Sequence, residues 1–226
     1  MQYLILALLL LWTRCACRRI RRSPRLYRRC AWTLGLLVYA AMLTQEAVLL
    51  LSGQLDWSSG LPLHLCSLLG VLTLPMLLTC SRILCSAALF IGVPGAALAV
   101  IFPAVLRTPW PMLTAIAFHT LHAGLICAPW LVIARGWRPA AADAWRAGLV
   151  LLAAGAAAMV VNPLVGGNYL FLAVPVPGTP LAWLGQWGLW AYRALLAGLA
   201  GMTLAAGAAT AALAQKRSAR TCRTLP

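Results

Sequence analysis

The chain reads as apolar blocks separated by short connections in which the charges are gathered. A helix needs roughly 20 mostly apolar residues to cross the hydrocarbon core of a bilayer, and several blocks supply that length. Every backbone polar group in hydrocarbon must be paired within its own segment, so such blocks form helices. Seven spans are predicted: Gln2 to Trp12, Trp32 to Leu51, Leu61 to Thr79, Ile83 to Val105, Pro111 to Ala134, Ala144 to Leu164 and Trp183 to Ala214. The last is long enough to be tilted or extended. The connections between later spans are short, except for Val165 to Ala182, which is uncharged and rich in Gly and Pro.

The expected architecture is therefore all-α, a single integral membrane domain covering residues 1–226. Composition agrees: 63% of residues are hydrophobic, only 9% are charged, and mean hydropathy is +0.88. Soluble domains carry about 25% charged residues. The net charge of +15 would suit a nucleic-acid partner, but the basic runs interrupt spanning segments instead of lining a soluble face. No nucleic acid is expected as a partner. With no hydrophilic domain, the membrane-embedded part must carry the function.

Charge placement gives an orientation. Eight of the 18 Lys+Arg fall between Arg14 and Arg29. If that connection is cytoplasmic, Arg82, then Arg135, Arg138 and Arg146, and finally Lys216, Arg217, Arg220 and Arg223 face the same side. Only Arg107 falls in an outside connection, and Arg193 lies within the last span. Loops rich in Lys and Arg stay inside, so the N-terminus is expected outside and the C-terminus in the cytoplasm, in the inner cell membrane. The first block is short for a bilayer, and no charged region precedes it as in a signal peptide. It is read as a remnant shortened by the choice of start codon. If it does not insert, six spans keep the same orientation.

Eight Trp lie at or near predicted helix ends: Trp12, Trp32, Trp57, Trp110, Trp130, Trp137, Trp145 and Trp183. Indole prefers the headgroup interface, where its ring is apolar and its N–H stays wet. The eight Cys form no disulfide scaffold. Cys15, Cys17, Cys30, Cys80 and Cys222 lie near the expected cytoplasmic side, where thiols stay reduced. Cys66, Cys85 and Cys127 lie inside spans.

Any chemistry must come from the few polar residues within the spans. Glu46 is the only acid in one, and all three His lie in spans as well. Ionisable groups in hydrocarbon cost several kcal/mol unless paired, which makes them functional candidates. His64 and Cys66 sit together in Leu61-Pro62-Leu63-His64-Leu65-Cys66. His119 and His122 are three residues apart and share a helix face. The expected topology puts Glu46, His64 and Cys66 in the outer half of the bilayer, His119 at about one-third depth and His122 near the middle. No CxxC arrangement is present, the spacing matches no metal motif, and no cofactor is expected.

The LPLHLC run at Leu61 to Cys66, Leu121-His122-Ala123-Gly124 with Ala128-Pro129 following, and Gly167-Asn168-Tyr169-Leu170-Phe171-Leu172 together resemble the YwaF-like bacterial integral membrane proteins. The likeness covers nearly the whole chain, including a Glu-bearing second helix and Gly92 to Gly95 in the fourth. The chain departs from the pattern in its short first helix and in Phe102-Pro103-Ala104, which lacks an acid after the Pro. The family is in turn similar to a eukaryotic transmembrane family associated with acyl transfer on phospholipids, in which a helix-borne Cys acts. The resemblance implies Cys66 as nucleophile, His122 as base, His64 and Glu46 as supporting residues, and Asn168, Tyr169 and His119 near the substrate. Membrane phospholipids are the implied partners.

An imidazole can activate a thiol for attack on an ester carbonyl. The thioester formed passes its acyl group to a hydroxyl or to water. Two other classes fit the residues. Glu46 and the His side chains would form an ion or proton relay in a transporter, although no inverted repeat is evident. A non-catalytic lipid-binding protein would need none of them.

The orientation is tested by cysteine-accessibility labelling at Ser23 and Thr179. We expect Thr179 to label from outside the cell and Ser23 only after permeabilisation; labelling of both from one side overturns the arrangement.

Overall fold

The computed structural model describes residues 2–103, 107–175, 182–183 and 185–223. Among them are seven long helices and no strand: α1 (Gln2–Ile20), α2 (Pro24–Leu51), α3 (Leu65–Thr79), α4 (Arg82–Ile101), α5 (Pro111–Arg135), α6 (Asp143–Val165) and α7 (Leu189–Arg223). Five of them (α2, α4, α5, α6 and α7) are long and apolar enough to cross a membrane. The α3 helix is apolar but only 15 residues long, and α1 carries Arg14, Arg18 and Arg19. The result is an all-α membrane helix bundle. Val105 of the fourth expected span and positions 176–181 of the Val165–Ala182 connection lie outside the described residues.

Several helix boundaries differ from expectation, and those of the first three helices have a local reason. The α1 helix continues past Trp12 to Ile20, and α2 starts at Pro24 instead of Trp32. The Arg14–Arg29 segment is thus two helix ends and a tight turn. Arginine stems can lie along a helix while their heads reach water. Ser23 caps α2, its Oγ accepting from the Leu26 N–H at 3.2 Å, and Pro24 supplies the pre-set φ of a first helical residue. The α3 helix starts at Leu65 instead of Leu61. Pro62 holds Leu61 away from helical geometry, and Leu61–His64 is turned, with the Leu63 N–H bonded to the Leu61 carbonyl at 2.8 Å. The α7 helix starts at Leu189 and runs on to Arg223.

At the centre stands α5, buried along most of its length and in contact with α1, α2, α3 and α4. Gly124 lets α2 approach, since a Cβ there would collide with Val38 Cγ2. The α4 helix has a wider π turn over Ala88–Gly92, in which the Val93 N–H bonds back to Ala88. Pro94 follows at once. A proline has no N–H to give and clashes with the carbonyl four residues back, and the wider turn absorbs both. The α7 helix packs on α6 and on that turn, with Phe90 lying against Gly207.

The cations gather at one end of the bundle. Tyr27, near the start of α2, donates its hydroxyl to the Leu77 carbonyl at the end of α3, with the Arg135 guanidinium 5.9 Å from its ring. Gln215 of α7 donates to the Pro139 carbonyl at 3.3 Å. At the opposite end, Gln54 donates to the Arg107 carbonyl at 3.2 Å and Arg193 to the Leu172 carbonyl at 2.8 Å.

At the basic end, Asp143 has no exposed side-chain surface. Arg82 grips it with two bonds, Nε to Oδ1 at 2.7 Å and an Nη to Oδ2 at 3.0 Å. Arg146 adds a third at 2.9 Å, and the Ala140 N–H a fourth at 2.8 Å. This joins the start of α4 to the start of α6. Removing one partner of a buried ion pair leaves the other uncompensated. Replacing Asp143→Asn should therefore cost about 2–3 kcal/mol, the half-exposed Arg82 keeping the loss below that of a fully buried pair. Thermal unfolding in detergent measures it, and an Arg82→Gln change added to Asp143→Asn should cost much less than it does alone.

Candidate functional site

The end opposite the cations is held by neutral hydrogen bonds around Tyr169, whose side chain is fully buried. Its hydroxyl accepts from the Leu61 N–H at 2.9 Å and donates to the Trp57 carbonyl at 2.8 Å. Its backbone is clamped by Asn162, near the end of α6. The Asn162 Oδ1 accepts from the Tyr169 N–H at 2.8 Å, and its Nδ2 donates to the Tyr169 carbonyl at 3.1 Å. Asn168 caps the next turn, accepting from the Ala173 and Val174 N–H groups at 3.0 Å and donating to the Val174 carbonyl at 2.8 Å. The Asn-Tyr pair thus binds the 162–174 segment to the 57–61 segment. Asn162 escaped the sequence reading, although its place just before Pro163 and the Gly166-Gly167 turn was a signal. So did Asp143, an acid set among cations.

His64 stands immediately before α3, with its ring 5.0 Å from that of Tyr169 and 5.5 Å from that of Phe171. Its ring makes no hydrogen bond among the described residues. Cys66 is the second residue of α3 and half-buried. The first N–H groups of a helix lack intrahelical partners, and those of Leu65, Cys66 and Ser67 have none among the described residues. Unpaired N–H groups at a helix start favour negative charge beside them. The short reach of α3 therefore puts the thiol where a developing anion is welcome.

Glycines fix the register. A Cβ on Gly70 would lie 2.5 Å from Met42 Sδ and 3.2 Å from Leu121 Cδ1, so α2, α3 and α5 meet at that level. Cys66 and Glu46 each lie one turn from this contact, toward the same end of the bundle. Successive helical residues turn by about 100°, which puts Cys66 about 40° round α3 from Gly70. On the other side it lies about 60° from Leu69, which packs on Gly92 of α4. Cys66 thus faces the space between α4 and α5 and packs against the cluster containing Leu69, Ile91 and Leu121. Glu46 is half-buried, with no hydrogen bond or ion pair among the described residues.

His122 is buried and its Nδ1 is 2.7 Å from the Phe118 carbonyl. A carbonyl can only accept, so Nδ1 carries the proton and Nε2 holds the lone pair of the neutral ring. His122 lies about 100° round α5 from Leu121, on the side where Leu125 packs in the cluster with Phe90 and Ile91 of α4. Its ring centroid is 4.2 Å from that of Phe118. His119 is also buried, its ring edge-on to Phe118 at 5.2 Å and its Nδ1 without a partner among the described residues. It lies about 160° round α5 from Leu121. Register thus brings Cys66 and Glu46 to one level and turns His122 toward the α4 side of the same interior. His119 lies about 60° further round α5 than His122 and is buried as well. No hydrogen bond joins the Cys66 thiol to an imidazole in this structure.

At this end, Asp56 organises the 56–60 turn, accepting from the Ser58 N–H at 2.9 Å and from the Ser58 and Ser59 hydroxyls at 2.7 and 2.9 Å. The serine bonds hold its carboxyl below the usual carboxylate range.

The fold and this interior define a polytopic helical membrane protein with a few buried or half-buried ionisable side chains inside the bundle. The chain belongs to the TMEM164 family, whose family model matches residues 1–206. No curated protein and no solved structure matches it. The YwaF-like resemblance rests on the motifs alone.

Tyr169→Phe should leave the Leu61 N–H and the Trp57 carbonyl unpaired and cost about 1–2 kcal/mol. Hydrogen exchange at Leu61 should speed up accordingly. Unchanged exchange there would show that the hydroxyl does not hold the turn.

Proposed function

We propose that the protein transfers or hydrolyses the acyl chains of phospholipids, with Cys66 as nucleophile and His122 as base. The observation that carries this reading is the position of Cys66 in the first turn of α3, beside unpaired N–H groups and facing the interior that His122 enters. Membership of a transmembrane family with this buried set agrees with a substrate that arrives laterally from the bilayer.

In the proposed cycle, His122 Nε2 takes the thiol proton as the sulfur attacks an ester carbonyl. An apolar setting disfavours a free thiolate, so ionisation and attack are coupled. The oxyanion formed meets the free N–H groups at the start of α3 and the His64 ring. The ester C–O bond then breaks, and the departing lysolipid oxygen receives the proton from the imidazolium. An acceptor hydroxyl or water attacks the thioester, His122 takes its proton and Cys66 regains one. Glu46, level with Cys66, favours the imidazolium electrostatically. The Nδ1–H bond to Phe118 keeps the ring in the tautomer the step needs. Thiol and imidazole need not be bonded before substrate binds, because catalytic hydrogen bonds often tighten only in the complex. Asn168 and Tyr169 have their donors engaged, and their part is to hold the loop beside His64.

Orientation completes the proposal: with the basic end in the cytoplasm, the site opens toward the outer leaflet. Cys66 is the second residue of α3, about 1.5 Å along the axis from the start of that helix, near the depth of lipid ester carbonyls.

Purified protein incubated with a phospholipid carrying a tagged acyl chain should acquire a hydroxylamine-sensitive adduct. Cys66→Ala should abolish it, and His122→Gln should slow its formation by about 10²–10⁴-fold. An adduct that survives Cys66→Ala removes the nucleophile, and a His122→Gln rate equal to wild type removes the base.

A further inference from the structure

The three acids of the chain are accounted for at some distance from its densest run of cations. Asp143 is held by Arg82 and Arg146, Asp56 by Ser58 and Ser59, and Glu46 lies in the other half of α2. Arg25, Arg28 and Arg29 are left with no ion pair or hydrogen bond among the described residues. They stand at helical spacings of three and four, so they share one face of α2. Like charges so placed repel one another unless an anion comes between them.

Arg25, Arg28, Arg29, Trp32 and Thr33, all on α2, line a shallow open depression of about 500 Å³ where the helix leaves the basic end. Below it the same stripe turns wholly apolar. Trp32, Leu36, Leu43 and Leu50 follow at spacings of four and seven, and all are exposed along the outside of the bundle. Three guanidinium groups at the basic end thus stand next to a ladder of exposed apolar side chains on the same helix. Each half selects for one part of the same molecule. Planar guanidinium forks suit phosphate oxygens, which they grip through paired bonds. Exposed leucines suit hydrocarbon. Free phosphate would use only the first half.

We propose that Arg25, Arg28 and Arg29, with Trp32 and Thr33, bind the phosphodiester headgroup of an anionic phospholipid whose acyl chain runs along Leu36 and Leu43. This lipid is bound, not processed. The site lies on the outer surface of α2 at the basic end, whereas Cys66 is in the bundle interior toward the opposite end, so the proposal stands apart from the acyl-transfer reading.

The test is lipid retention by the full-length protein, measured by native mass spectrometry after release from vesicles of phosphatidylcholine mixed with phosphatidylglycerol. Wild type should keep phosphatidylglycerol in preference to phosphatidylcholine. The triple change R25Q/R28Q/R29Q should lower that retention roughly tenfold or more, and the phosphatidylglycerol-dependent rise in thermal midpoint should vanish with it. A control that removes two cations outside the depression, R18Q/R22Q, should retain the lipid as wild type does. The triple change to Lys keeps the charge but loses the fork and should give an intermediate value. Wild-type retention in the Gln triple variant overturns the site, and so does equal loss in the R18Q/R22Q control, which would mean a general surface-charge effect. If the Gln triple variant fails to fold, wild type alone decides. Equal retention of both lipids, or complete displacement by excess inorganic phosphate, overturns the proposal.

Discussion

The hydroxyl of Tyr169 decides where α3 begins, and the candidate site depends on that beginning. By accepting the Leu61 N–H and donating to the Trp57 carbonyl, it holds the approach to α3 in a turn and leaves the helix to start at Leu65. Had Leu61 opened the helix, Cys66 would lie in the second turn with its N–H bonded to Pro62, and no free donors would stand beside the sulfur. The hydroxyl is in turn placed by Asn162, whose amide grips the backbone of Tyr169 on both sides. A chain of neutral bonds therefore runs from the end of α6 to the first turn of α3. Neutral bonds suit that task, because a buried charge would need a counter-charge directly beside it.

The two ends of the bundle solve the same problem with different chemistry. Helix ends carry unpaired backbone groups and must be held in register where hydrocarbon gives way to water. At the basic end, Asp143 ties α4 to α6 with ionic bonds, among cations that would otherwise repel. At the other end, tyrosine, asparagine and serine do the work. Between them the helices are matched by shape, with Leu65 and Leu69 seated on Gly95 and Gly92 and Leu74 close against Gly35. Such seats matter in lipid, where close packing takes over much of what water-driven burial supplies elsewhere.

Hydropathy located the helices well because each span must satisfy its own backbone, and charge clustering foretold which ends lie together. The boundaries that failed are those where one residue overrides the hydropathy pattern. Leu61-Pro62-Leu63 is apolar enough to read as helix, but Pro62 keeps Leu61 from helical geometry and a tyrosine more than a hundred residues away holds the turn. The long extension of α1 was hidden because arginines look like a loop, while their stems tolerate a helix. Among the site residues, the side-chain types could be read from the sequence, but the facing could not. His119 and His122 share a face of α5, but the helices that this face meets are set by the packing at Gly70 and Leu121 and cannot be read from spacing. The donor groups beside Cys66 belong to the backbone and leave no mark in a sequence.

The π turn in α4 makes the seating of α3 sensitive to chain length as well as to side-chain identity. Ala88–Gly92 holds one residue more than an α-helical turn requires. Deleting a single residue there would restore a regular helix, rotate Val93–Ile101 by about 100° and draw it back by about 1.5 Å. Gly95 would swing out from under Leu65, the neighbour of Cys66, while the first turn of α4, anchored by Arg82, stayed where it is. The turn thus acts as a phase adjustment between two halves of one helix. A homologue one residue shorter at this point would need a different side chain opposite Leu65 to keep the same nucleophile in place.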